Sequence, residues 1–268
     1  MIQERTITAE GRKMNCISFG KGKKTMLLIS GLNVQDVRGL SVALGLWWLY
    51  RGFAKEYTLY CFDRREDLPE GCTVREMAED IALGMKALGL KDACVLGVSQ
   101  GGMIAQYLAI DHPELVRKLV LGVTLSRRND TLARHIERWC ALAEAGDKEG
   151  ILLDYLQENY SAAYQERYRI LLPLLAGFTK TMPLSRFLIC AQACLSCESY
   201  ELLEKISCPV LVLGGKEDKI VTPEASAEIA GKLNCEVYLY ENGGHAVYEE
   251  EAKDFNRRVR DFFAREEY

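Results

Sequence analysis

The chain has 268 residues, of which 49% are apolar and 27% charged, with a net charge of −4. This is the balance of a globular protein large enough for one α/β core, and it excludes a disordered or fibrous chain. Mixed-sign charge with no basic stripe argues against nucleic acid as a partner.

Thr6 to Phe19, turning at Gly11, reads as an antiparallel hairpin at a sheet edge. Thr25 to Ser30 is a buried strand ending in Gly31, and Tyr57 to Asp63 is a second. Thr73 and Glu76 then form a capping box. Val74, Met77, Ile81, Met85 and Leu88 keep helical spacing up to Gly89, placed as a C-terminal cap. Asp92 to Ser99 gives a third parallel-type strand, followed by a helix over Met103 to Ile110, and Lys118 to Thr124 a fourth strand.

From Asp130 to Lys205 the alternation stops. Helical patterns punctuated by Gly146, Pro173, Gly177 and Pro183 predict a helical cap over 130–205, inserted into a core of 1–129 and 206–268. Its apolar runs (151–153, 170–172, 174–175 and 187–189) supply mostly internal packing, with a minority left to roof a site. Strands resume at Pro209 to Leu213 and Cys235 to Tyr240. Thr222-Pro223 opens a helix between them, and Glu249 to Glu267 carries the face Ala252, Phe255, Val259, Phe262 and Phe263 of a terminal helix. Strands alternating with helices in this way make a mostly parallel sheet covered on both faces.

The ten cysteines come without an apolar leader at Met1-Ile2-Gln3-Glu4-Arg5, and no apolar run approaches a membrane span. Cys61, Cys94, Cys190 and Cys208 sit in apolar segments, so a reduced, cytoplasmic protein with no membrane partner is expected. Cys190, Cys194 and Cys197 share the spacing of an iron–sulfur triplet. Offsets of four and seven instead put them on one helical stripe, where thiolates cannot converge on a cluster, so packing is the better reading.

Chemistry concentrates at Gly97-Val98-Ser99-Gln100-Gly101-Gly102, a G-x-S-x-G string between a buried strand and a helix. That turn is tight enough to demand small neighbours and pushes the serine hydroxyl out above the sheet, next to a helix N-terminus. A serine needs a base to become a nucleophile. Of the three histidines, His245 follows Asn242-Gly243-Gly244 at the sheet's C-terminal edge, where ligands gather. His112 falls at a helix end facing away, and His135 lies in the insertion; both are expected at the surface. The base in turn needs an acid to fix its tautomer. Asp218, in the turn after a buried strand, gives the order Ser…Asp…His, with Glu217 and Asp130 as competitors.

These three segments, with Pro113-Glu114-Leu115-Val116 and Ile206-Ser207-Cys208-Pro209-Val210, resemble the α/β-hydrolase superfamily over nearly the whole chain outside the insertion. The resemblance implies an eight-stranded, mostly parallel sheet with helices on both faces and an inserted helical cap, and no metal or organic cofactor. It also implies an oxyanion hole from the backbone N–H groups of Gln100 and Leu32, each donor worth about 3–4 kcal/mol to a tetrahedral intermediate. Two segments depart from the family pattern: Ser30-Gly31, where many relatives carry His-Gly, and Asp63-Arg64-Arg65-Glu66-Asp67, where relatives often have an Arg-Gly-x-Gly turn. The expected function is hydrolysis of a small-molecule ester or thioester with a small or medium acyl group. Acyl transfer or carbon–carbon cleavage by the same residues, and non-catalytic ligand binding, are the alternatives.

Overall fold

The computed structural model describes residues 2–33, 35–169 and 182–266. The expectations at Pro173 and Gly177, and for the runs 170–172 and 174–175, lie outside these residues. Eight strands form one sheet: β1 (Gln3–Ala9), β2 (Arg12–Gly20), β3 (Lys24–Ile29), β4 (Tyr57–Phe62), β5 (Ala93–Val98), β6 (Val116–Gly122), β7 (Val210–Gly215) and β8 (Glu236–Tyr240). Their spatial order is β1-β2-β4-β3-β5-β6-β7-β8. β1 pairs antiparallel with β2 and β2 antiparallel with β4, and every later pairing is parallel. The hairpin turns at Glu10-Gly11, both at positive φ (48° and 78°), the backbone that a two-residue hairpin requires.

Ten helices accompany the sheet among the described residues. They are α1 (Leu40–Tyr50), α2 (Val74–Ala87), α3 (Gln100–Asp111), α4 (Asp130–Glu144), α5 (Lys148–Asn159), α6 (Ala162–Arg167), α7 (Leu184–Ala193), α8 (Pro223–Leu233), α9 (Val247–Glu250) and α10 (Ala252–Ala264). Alternate strand residues feed two cores. Along β5, Ala93 and Val95 join Met77, Ile81, Leu108 and Ile229 beneath α2, α3 and α8. Cys94, Leu96 and Val98 face the other way, onto Ala43, Phe255 and Val259 of α1 and α10. Burial on both faces explains why the central strands are unbroken apolar runs. Between β6 and β7 the described residues form α4 to α7 and two 3₁₀ turns, with no strand.

The helix start at Thr73 is a capping box as read, and Gly89 takes the left-handed conformation (φ 66°) just past the C-cap of α2. Three local expectations need correction. Thr222 precedes Pro223 but makes no capping hydrogen bond through its side chain; φ of 71° turns it away from that geometry. The terminal pattern is two helices, because Glu251 leaves helical geometry between α9 and α10; Glu267 lies outside the described residues. Cys190, Cys194 and Cys197 do not share one regular helix: α7 ends at Ala193, Cys194 opens a 3₁₀ turn and Cys197 closes it.

Chain order reverses between β3 and β5, since β4 lies on one side of β3 and β5 on the other. Such a switch point opens a crevice beyond the strands' C-terminal ends. Gly31 follows one of these strands and Ser99 the other.

Candidate active site

Ser99 sits between β5 and α3 at φ 53° and ψ −123°, a strained conformation for a residue with a Cβ. Its N–H donates to the Gly122 carbonyl at 2.9 Å, and its carbonyl accepts from Thr124 Oγ1 at 2.7 Å. The flanking glycines permit this packing. A Cβ at Gly97 would lie 2.5 Å from the Gly101 carbonyl oxygen, and one at Gly101 only 2.0 Å from that of Ile29.

His245 is buried, with Nε2 at 2.8 Å from Ser99 Oγ and Nδ1 at 2.9 Å from Asp218 Oδ2. An ionised carboxylate can only accept, so Nδ1 carries the proton and Nε2 presents its lone pair to the serine hydroxyl. The other carboxylate oxygen, Asp218 Oδ1, accepts from the N–H groups of Ile220 (2.9 Å) and Val221 (3.0 Å), which fixes its rotation. The two loops are also sewn together: the Glu217 N–H donates to the Gly243 carbonyl, and the Ala246 N–H to the Asn159 carbonyl on α5.

The competing residues stand elsewhere. Glu217 is exposed on the same turn, and Asp130 occupies the first turn of α4. His112 ends α3, largely shielded rather than at the surface, with Nε2 2.6 Å from Glu79 and Nδ1 3.2 Å from Lys86. His135 sets Nε2 3.0 Å from the carbonyl of Lys219, so α4 rests on the turn that holds Asp218.

Gly31 and Leu32 pass beside Ser99; a Cβ on Gly31 would come within 3.1 Å of Ser99 Cβ. Among the described residues the backbone N–H groups of Leu32 and Gln100 donate to no backbone carbonyl. A pocket opens over Ser99 and His245, walled by Leu132, Ile136 and Trp139 of α4, Tyr155 and Asn159 of α5, and Met103, Ile220 and Tyr248. Trp139 Nε1 donates to the buried Asp154. Periodicity gave no means of separating these wall residues from ordinary packing in the inserted segment.

The three cysteines diverge. Cys194 Sγ lies 3.1 Å from Gln100 Nε2, Cys190 presents its carbonyl to the same amide, and Cys197 Sγ points to the Leu125 carbonyl. Burial pushes the Cys194 thiol up to about 12. Behind the site stand Arg64, which donates to the Ser30 carbonyl and Gln100 Oε1, and Arg186, which donates to the Arg64 carbonyl; the sequence signalled them only by the departure at 63–67.

An eight-stranded sheet of this order, with a serine turn at its switch point, defines the class of α/β hydrolases. The profile of the Alpha/beta hydrolase family matches residues 27–258, and the chain belongs to that family of hydrolases. It is 27% identical over 259 residues to a protein of Caulobacter vibrioides named for carbamate hydrolysis, RutD, covering 90% of each chain. To the 3-oxoadipate enol-lactonase 2 of Acinetobacter baylyi it is 22% identical over 268 residues, covering 95% of this chain and 94% of the other. The crystal structure of the enol-lactonase from Burkholderia xenovorans LB400 superimposes with a TM-score of 0.84 at 19% identity, over 97% of this chain and 100% of that one. An alpha/beta hydrolase enzyme, MGS-M2, from a Medee basin deep-sea metagenome library gives 0.85 at 20% identity, over 98% of both chains. Among the described residues no helix is long and apolar enough to cross a membrane.

Proposed function

We propose that the protein is a serine hydrolase that cleaves a small or medium acyl ester or thioester through an acyl-enzyme on Ser99. The observation that carries this reading is the unbroken hydrogen-bonded path Asp218–His245–Ser99, two of whose three members are buried. Ser99 Oγ attacks the carbonyl carbon as its proton passes to His245 Nε2. The imidazolium is stabilised by Asp218, which stays ionised. The N–H groups of Leu32 and Gln100 receive the charge that develops on the carbonyl oxygen. His245 then returns the proton to the departing oxygen or sulfur, and water, deprotonated by the same nitrogen, releases the acid.

Residues 130–205 serve as a cap whose α4 and α5 wall the acyl group, and the apolar lining suits an acyl chain or ring. The relatives' names support the reaction class, since a carbamate and an enol-lactone each present a carbonyl bonded to a leaving heteroatom.

The test is labelling with a fluorophosphonate, the adduct located by peptide mass spectrometry, with Ser99→Ala and His245→Ala alongside. Labelling confined to Ser99 and absent from both variants is expected. Well-folded wild-type protein that takes up no probe and hydrolyses no member of an ester and thioester chain-length panel would overturn the assignment.

A further inference from the structure

The two segments where the chain departs from its family's pattern meet at one guanidinium. Arg64, on the loop after β4, is buried, and its Nη2 donates to the Ser30 carbonyl at 2.7 Å and to Gln100 Oε1 at 3.1 Å. Ser30 begins the loop that carries Leu32, and Gln100 carries the other N–H assigned above to the oxyanion. A single nitrogen therefore bridges both arms of the anion-binding site. The amide of Gln100 is fixed in this sense, because its nitrogen must donate to the Cys190 carbonyl (2.5 Å) while its oxygen accepts from Arg64.

Arg64 is itself held from the other side. Its N–H donates to Asp63 Oδ1 at 2.8 Å, and its carbonyl accepts from Arg186 Nη2 of α7 at 2.7 Å. Arg186 also bonds the Arg65 carbonyl and, at 3.0 Å, Asp36. Arg64 and Gln100 thus both reach α7, one through its carbonyl and the other through its amide.

We propose that Arg64 is a positioning residue that sets the distance between the two oxyanion donors and keys that distance to the seating of α7. The inference rests on the reading of Ser99 as nucleophile. Donors must lie about 2.7–3.1 Å from the developing oxyanion; the sheet pairs the two arms as far as Ile29 and Gly97, and past that pairing the Arg64 side chain bonds both. The two hydrogens on Nη2 diverge in a fixed plane, so one can serve each arm. A lysine ammonium lacks that geometry. Because the charge appears only in the transition state, loosening the clamp lowers kcat and leaves ground-state binding alone.

The experiment compares wild type, Arg64→Met and Arg64→Lys on p-nitrophenyl acetate, together with the affinity of an alkyl trifluoromethyl ketone, which forms an oxyanion-bearing hemiketal on the serine. Arg64→Met is expected to lose about 100-fold in kcat, the cost of an ångström-scale misplacement, with KM within about threefold. Ketone affinity falls with kcat, and Arg64→Lys lies between the two. For Arg64→Ala, added ethylguanidinium is expected to restore part of kcat, which a merely structural role would not allow. Should Arg64→Met fold poorly, Arg64→Lys carries the same kcat-against-KM comparison.

Wild-type kcat in Arg64→Met or in Arg64→Lys would overturn the clamp while leaving Ser99 in place, as would a loss confined to KM. Wild-type protein inert toward both the ester and the ketone would overturn the clamp and the nucleophile together.

Discussion

Lys118, on the central strand β6, points its ammonium at the end of α10, with Nζ 3.3 Å from the carbonyl oxygen of Phe262. The carbonyls of Phe263 and Arg265 accept from the same nitrogen, and the side chain is almost fully buried. The helix leaves its last carbonyls without intrahelical donors and carries partial negative charge there, so a cation from the sheet answers both needs. Lys118→Met keeps the apolar stem and removes the donors. It is expected to cost about 1–3 kcal/mol, the range for buried acceptors left unpaired. The urea midpoint of the variant would fall while labelling of Ser99 persists. A midpoint that rose would mean that desolvating the ammonium outweighs the capping.

Asp218→Asn tests the orientation of the base. The Asn Oδ1 can still accept from the N–H groups of Ile220 and Val221, so the turn should survive. The amide NH₂ then faces His245 Nδ1 and favours the tautomer that places a proton on Nε2, against the serine. By analogy with serine hydrolases of known mechanism, kcat should fall about 10⁴-fold at neutral pH with the thermal transition nearly unchanged. An active Asp218→Asn, measured on whichever ester the wild type prefers, would remove Asp218 from the assignment.

Gly101→Ala probes the turn behind Ser99. The new methyl would stand 2.0 Å from the Ile29 carbonyl oxygen and 2.6 Å from that of Ser30, and backbone atoms cannot swing aside as side chains do. Overpacking of this kind is expected to cost about 3 kcal/mol. The loss would be visible as a lower denaturation midpoint and as slower labelling of Ser99. An alanine variant as stable and as reactive as the wild type would contradict this packing.

The buried thiols give a prediction in pH. Burial pushes Cys194 and Cys197 up to about 12, so both stay neutral through the range in which an exposed thiol ionises. Iodoacetamide at about pH 8 should therefore leave Cys194 and Cys197 unmodified in the native protein. Peptide mapping before and after unfolding would check this. Rapid native alkylation of Cys194 would show that the wall it forms opens to solvent.

What the sequence disclosed was whatever local rules govern. The strand before Ser99 and the glycines around it follow from short-range sterics, and a mostly parallel sheet follows from the alternation. The capping box at Thr73 is equally local. The misses share a different cause. Nothing in 63–67 says that Arg64 reaches Ser30 and Gln100, contacts 34 and 36 positions away. The Glu251 break follows a pattern that stays amphipathic across it, and α1 escaped notice because its apolar residues run around the whole helix instead of along one stripe. The helix predicted for the three cysteines failed at Cys194, where the chain tightens to a 3₁₀ turn against Gln100.

The pocket wall on α4 offers the sharpest test of substrate choice. Leu132 and Ile136 are one turn apart on the face that looks onto Ser99, and α4 is anchored there by His135 at the acid turn and by Asn129, whose side chain caps the helix and donates to the Val221 carbonyl. Enlarging Leu132 should therefore shorten the pocket without moving the helix. Leu132→Phe is expected to leave acetyl ester turnover within about threefold and to cut kcat/KM for longer acyl chains by about 10–100-fold, the span of a few methylenes in an apolar site. A uniform loss across a p-nitrophenyl ester series would point to a disturbed triad instead. An unchanged series would place the acyl group against another wall, with α5 and its Tyr155 the next to alter.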